Sequence, residues 1–154
     1  MTAPTQAPAP TIRNPGRTPA TPRKLFVNIP VADVQRSIDF FEALGFTFDA
    51  QFTDASATAM LVGEDAYFML LTSERFLSLS KRPLCDPRQA TGALFTLGVD
   101  SREAVDAMVN RAVALGGTPA HQPQDHGFMF DWGFYDLDGH GWGAFWMDPA
   151  AVQG

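Results

Sequence analysis

The chain holds three histidines, and each stands close to a carboxylate. His121 and His126 fall with Asp125 in "HQPQDHGFMFD", residues 121–131, a loop that leads into a strand. His140 follows the acidic turn Asp136-Leu137-Asp138-Gly139 in "FYDLDGHGWGAFWMD", residues 134–148. An imidazole can take or give a proton near neutrality, so His126 is the candidate general base, or a group that polarises a carbonyl. The competing role for Asp125 and His126 is to organise their loop by local hydrogen bonds, the commoner fate of Asp in turns. A metal held by His121, His126 and a carboxylate would match no recognised ligand spacing. Asp136 and Asp138 read as turn chemistry, and His140 as part of the same turn. Cys85, the single cysteine, lies in "RPLCDPR" with no defined base beside it and reads as non-catalytic.

These residues need a scaffold, and the hydrophobic periodicity supplies one. "KLFVNIPV" is a strand from its Val, Ile and Phe content. "ADVQRSIDFFEALG" is a helix: Asp33 caps it, Val34, Ile38, Phe41 and Leu44 recur at helical spacing, and Gly45 stops it. The runs "FTFDAQF", "ATAMLVG" and "AYFMLLT" follow as strands, so the first module reads βαβββ. "SERFLSL" is a short helix within a connector spanning residues 73–91. "ALFTLGVD" is the next strand, and "SREAVDAMVNRAVALGG" a second helix from the Ser101 cap to Gly116-Gly117. "GTPAHQ" supplies an edge strand, and "FMFDWGFYD" and "HGWGAFWMD" close as a hairpin around Asp138-Gly139. The halves repeat: strand, turn acid or Ser, helix, Ala-Leu-Gly stop. A duplicated unit of this kind leaves an unclosed sheet that needs its copy.

Composition narrows the classes. Residues 1–23 hold six of the twelve prolines and no aromatic, so they have little to bury and read as a disordered tail. Those prolines also oppose the amphipathic helix of a transit peptide. Arg13, Arg17, Arg23 and Lys24 are the basic residues of the first 24 positions, which contain no acid. The seven remaining basic residues against seventeen acids leave residues 25–154 at −10. That argues against nucleic acid as a partner, since phosphate binding needs clustered Lys and Arg. One cysteine forms no internal disulfide and fits a reducing compartment. No apolar run is long enough to span a membrane or resembles a signal sequence, so the expected location is cytoplasmic.

In "FVNIPVADVQRSIDFFEALGF", the second-half "LFTLGVDS" and the closing "DLDGHGWGAFW", the chain resembles the vicinal oxygen chelate superfamily of glyoxalase I, bleomycin-resistance proteins and extradiol dioxygenases. The resemblance covers residues 24–148. It implies an α+β fold of paired βαβββ modules, about 24–72 and 92–148 of a domain spanning 24–150, whose curved mixed sheets enclose a cavity with helices outside, commonly as a homodimer. Metal-dependent members place His, Gln or Glu at four strand positions. Carried over, these fall on Phe26, on Leu94, on Gly143 and within Ala66–Thr72, a run without His or carboxylate. Phenyl, isobutyl and hydrogen side chains offer a divalent ion no lone pair, so the expectation is no metal and no cofactor.

Strand alternation yields a lining independently of the resemblance. Leu25, Val27, Ile29 and Val31 share one face and Phe26 and Asn28 the other; Phe95, Leu97 and Val99 lie opposite Leu94 and Thr96. Phe26, Asn28, Leu94 and Thr96, with Gly141, Gly143 and Phe145, are the candidate ligand-binding residues of a mostly apolar pocket. The bland alternative is that these side chains only fill the sheet interior. Asn28 discriminates, because an amide needs partners or a ligand. Trp132, Trp142 and Trp146 could stack a flat ligand, though packing accounts for at least two of them. Two function classes follow: a metal-free module similar to bleomycin-resistance proteins that binds an unknown, largely apolar small molecule, or a glyoxalase-type lyase or dioxygenase with a relocated metal site or His126 as acid/base. A third, weaker class is a dimeric interaction domain without a ligand.

Overall fold

Strand β1 (Leu25–Val31) begins just past the proline-rich segment in the computed structural model, which describes residues 2–152. Residues 2–24 carry no helix or strand and are exposed. After β1 come α1 (Val34–Ala43), β2 (Thr47–Asp49), β3 (Ala57–Gly63), β4 (Ala66–Thr72) and α2 (Ser73–Leu79). The second half holds β5 (Leu94–Gly98), α3 (Arg102–Ala114), β6 (Thr118–Pro119), β7 (Gln124–Asp125), β8 (Met129–Tyr135) and β9 (Gly141–Met147). No helix of the described residues is long and apolar enough to cross a membrane.

The caps anticipated from sequence are made. Asp33 Oδ1 accepts the Arg36 N–H at 3.0 Å, and Ser101 Oγ the Ala104 N–H at 3.0 Å. Each such bond satisfies one of the first-turn N–H groups that lack an intrahelical partner. Gly45 and Gly116 end their helices at φ of +98° and +109°, where a side chain would be strained. The run "FTFDAQF" is strand only as far as Asp49, which contradicts the longer strand read from its apolar residues. Asp49 Oδ1 accepts the Gln51 N–H at 2.9 Å and its carbonyl accepts the Thr53 hydroxyl at 2.7 Å, winding Ala50–Phe52 into a 3₁₀ turn. Local side-chain bonding there wins over strand pairing.

Each module builds one four-stranded path, β1-β4-β3-β2 and β5-β9-β8-β6, with β7 also paired to β8. First and last strands of each module run parallel, β1 with β4 and β5 with β9, as duplication of one unit requires. The fold is α+β with two mixed sheets that do not close into a barrel.

Alternation decides what the modules share. Ile29 and Val31 of β1, Phe68 and Leu70 of β4, and Trp142 and Ala144 of β9 are buried on one face of their sheets. Phe68 meets Phe95 and Trp142, both at 4.8 Å between ring centroids, and Phe41 of α1 meets Trp142 at 5.1 Å. The two sheets thus turn these faces toward a common core that also takes in α1 and α3 through Phe40, Phe41, Val109 and Ala112. Aromatic pairs of this kind add about 0.5–1.5 kcal/mol each beyond their buried area.

The acidic turn between β8 and β9 clasps the halves together. Asp136 is buried; its Oδ2 accepts the Trp142 indole N–H at 2.9 Å and its Oδ1 the Asp138 and His140 N–H groups. Burial is the main cause that pushes the Asp136 carboxyl above its ordinary value, against these hydrogen bonds and the nearby His140. Asp138 Oδ1 reaches across to the Ala32 N–H at 2.9 Å and the Arg36 guanidinium at 3.1 Å. His140 Nε2 lies 2.7 Å from the Pro30 carbonyl, and Arg88 donates to the Leu137 carbonyl. Asp138 and His140 tie this turn to β1 and α1, while Asp136 braces the turn itself against β9.

Candidate functional site

The faces turned away from the core are where the candidate lining lies. On the second sheet Leu94 pairs with Gly141, Thr96 with Gly143 and Gly98 with Phe145, so each β5–β9 rung on this outer face sets one glycine beside one side chain. A Cβ at Gly141 would stand 2.7 Å from Leu94 Cδ2, one at Gly143 3.3 Å from Thr96 Oγ1, and one at Gly98 3.3 Å from the Phe145 ring. Gly133 of β8 lies opposite Gly143 on the same face. The glycine floor leaves a cavity of about 470 Å³, in the range of small-molecule sites. Leu94, Thr96, Gly141, Gly143 and Phe145 all line it, together with Met129, Met147, Trp132 and Tyr135.

Phe26 and Asn28 occupy the outer face of the first sheet and do not join that cavity. Phe26 stacks on Tyr67 at 4.8 Å, with Lys24 Nζ 5.8 Å from the Tyr67 ring. Asn28 lines a second cavity of about 400 Å³ between β1, α2, the connector and the start of β9, where Phe76, Cys85 and His140 stand and which shares Gly141 with the first.

Polar groups collect at one rim of the second-sheet cavity. His126 Nε2 is 2.8 Å from Asp131 Oδ2, and Asp131 lines the cavity while His126 stands outside it. Asp125 instead accepts from Arg102 at 2.8 Å and from the Gly127 N–H, and Arg102 also donates to the Gly127 carbonyl. The Arg102 hydrogen bond is the leading cause holding the Asp125 carboxyl below its usual range. Asp125 therefore organises the loop, and His126 pairs with a carboxylate five residues on. His121 reaches the cavity as well; its Nδ1 is 2.7 Å from the Gln122 carbonyl, and its own carbonyl accepts the Trp132 indole N–H at 2.6 Å. Sequence reasoning assigned no site role to Asp131, Gly133 or Tyr135. Their alternation in "FMFDWGFYD" puts all three on one strand face and was the available signal.

A family model described as Glyoxalase/Bleomycin resistance protein/Dioxygenase superfamily matches residues 13–143. The chain belongs to this superfamily. Solved structures agree on the fold. A hypothetical protein from S. aureus is 24% identical, with 82% of this chain and 95% of that one covered, at a TM-score of 0.70. A glyoxalase/bleomycin resistance protein/dioxygenase family enzyme from Burkholderia phytofirmans PsJN is 18% identical, covers 79% and 96%, and scores 0.66. The fosfomycin resistance protein FosX from Mesorhizobium loti is 13% identical, covers 86% and 97%, and scores 0.57. No curated protein matches the chain.

The divalent metal that the superfamily resemblance implies does not fit the residues at its positions. The Phe26 ring is occupied with Tyr67, Leu94 leans over Gly141, and Gly143 presents only hydrogen toward Thr96. The β4 run Ala66–Thr72 contains no His, Asp, Glu or Cys. Among the described residues no group of three or more His, Cys, Asp and Glu side chains is placed to hold a metal ion.

Proposed function

We propose that this superfamily member binds a small, largely apolar molecule on the outer face of its second sheet and does so without the usual divalent metal. The observation that carries the reading is the glycine floor: where a ligand carboxylate would be expected, Gly143 and its neighbours Gly133 and Gly141 leave a cavity walled by Leu94, Phe145, Met129 and Met147. Thioethers and aromatic rings give such a wall adaptable apolar contact, with a few polar groups at the rim to orient the ligand. The first sheet's outer face leaves Phe26 half-exposed at 51%, and Leu94 on the second is 68% exposed. Apolar side chains this open, on two faces of similar architecture, support a homodimer in which a second copy covers them.

A titration with a neutral aromatic compound, followed by tryptophan fluorescence in excess chelator, tests this. Saturable binding near one per chain, unchanged by chelator, is expected because Trp132 lines the cavity. Absence of saturable binding, or binding that appears only with added divalent ion, would overturn it.

The His126–Asp131 pair favours a second reading, an enzyme of the superfamily that uses His126 as an acid/base held by Asp131. Turnover of hemithioacetals and catechols, with Ni²⁺, Zn²⁺ or Fe²⁺ added and omitted, decides between the two. Flat rates throughout would sink the enzyme reading.

A further inference from the structure

We infer that the cavity on the second sheet selects a ligand that carries an ammonium group on an aromatic or aliphatic body; this rests on the reading of that cavity as a ligand site. The direction of each rim hydrogen bond fixes which atoms are left to accept. A carbonyl oxygen can only accept, so His121 Nδ1, 2.7 Å from the Gln122 carbonyl, carries the ring proton. In the neutral imidazole Nε2 is then a bare acceptor, and it hangs 3.5 Å from where a Cβ on Gly133 would stand, over the glycine floor. Asp131 spends Oδ2 on His126, and Oδ1 makes no hydrogen bond among the described residues. The rim thus presents an imidazole lone pair and a free carboxylate oxygen, and the hydroxyls of Thr96 and Tyr135 can accept as well.

Charge and shape point the same way. The residues lining the cavity include Asp131 and no Lys or Arg. Arg102, which serves this end of the sheet, faces the other side, over Phe130 and Trp146 at 5.6 and 5.0 Å, with its guanidinium committed to Asp125. A carboxylate ligand would meet the Asp131 charge with no compensating cation in the lining. An apolar body alone gains contact with the wall but returns no donor to Asp131 Oδ1 and His121 Nε2, so it binds more weakly than the same body carrying a donor. An ammonium supplies three donors and the opposite charge, and Phe145, opposite Asp131 on the same sheet face, offers an aromatic ring to a cation.

The test compares three compounds of one shape on the unaltered protein by calorimetric titration: 2-phenylethylammonium, 2-phenylethanol and 3-phenylpropionate. The ammonium compound is expected to bind at least about ten-fold more tightly than the alcohol, and the carboxylate most weakly, the gap being set by a charge-assisted hydrogen bond. Asp131→Asn, nearly the same size, is expected to bring the ammonium compound to the alcohol's affinity. Equal binding of alcohol and ammonium, or tighter binding of the carboxylate, overturns the ammonium preference and leaves the cavity as a ligand site. Binding of none of the three overturns both. Because the ranking is read on the unaltered chain, it stands even if the Asp131 variant fails to fold.

Discussion

Gly133, Gly141 and Gly143 look interchangeable in the sequence, yet a methyl group at each would meet different atoms. At Gly141 the added carbon stands 2.7 Å from Leu94 Cδ2, the tip of a side chain that can swing away; at Gly133 it stands 2.8 Å from the Trp142 carbonyl oxygen, which the β8–β9 pairing holds in place. Overpacking against backbone costs about 1–3 kcal/mol. Gly133→Ala should lose that much stability in denaturant titrations, while Gly141→Ala loses less than about 1 kcal/mol by comparison. Asp136 is the other residue whose environment makes a sharp prediction. Asp136→Asn can keep its two backbone bonds but sets an amide N–H₂ against the Trp142 indole N–H, so it should destabilise by about 1–3 kcal/mol. Burial raises this carboxyl above its ordinary 3.8, so the fold holds a proton there at pH values where the unfolded chain has released it. The stabilisation from that proton is complete below the unfolded value and is lost as pH rises through the raised one. The variant cannot titrate at this position. Its stability deficit relative to the parent should therefore widen as pH falls through that window, and a deficit constant with pH would contradict the account.

At the scale of elements, the turn between β8 and β9 is a clasp on the first module. Asp138 receives both a backbone N–H from Ala32 and the Arg36 guanidinium, but the two contacts differ in worth. Arg36 is 43% exposed, and an ion pair open to solvent contributes at most about 1 kcal/mol. Asp138→Ala should therefore cost about 1–2 kcal/mol of thermal or chemical stability and Arg36→Ala clearly less, since the alanine at 138 removes both bonds. An equal loss in the two variants would mean that the Ala32 bond carries no weight. Much at this scale was legible in the chain. Asp33, Ser101, Gly45 and Gly116 mark helix ends through local chemistry alone, and the period-two alternation of β1 and β5 told their two faces apart. The end of β2 at Asp49 was not legible, because a side chain bonding two residues onward competes with the ladder at close range. Strand β7 is two residues long and exists by pairing Gln124 with Asp131, a contact that local pattern does not reveal.

At the scale of the molecule, the alternating faces of β1 and β5 pack through Val27, Ile29, Val31, Phe95 and Leu97 but not through Leu25, which is exposed, and which faces meet was set by contacts far apart in sequence, such as Phe68 with Phe95 and Trp142. That arrangement explains why the candidate lining splits, with Phe26 and Asn28 on one sheet and the remaining five residues on the other. It also leaves apolar side chains, Phe26 and Leu94, open on both outer faces. A homodimer should appear in sedimentation at micromolar concentration, and Leu94→Glu together with Phe26→Glu should shift it to monomer; a monomer in the unaltered protein would remove the proposed cover. On the proposed reading, apolar and glycine residues stand where a metal site would be and form a ligand site instead. Elemental analysis of the purified protein, after growth with excess Ni²⁺, Zn²⁺, Mn²⁺ and Fe²⁺, tests it most directly. Divalent metal far below one per chain is expected; a stoichiometric divalent ion that survives dialysis would overturn the metal-free reading.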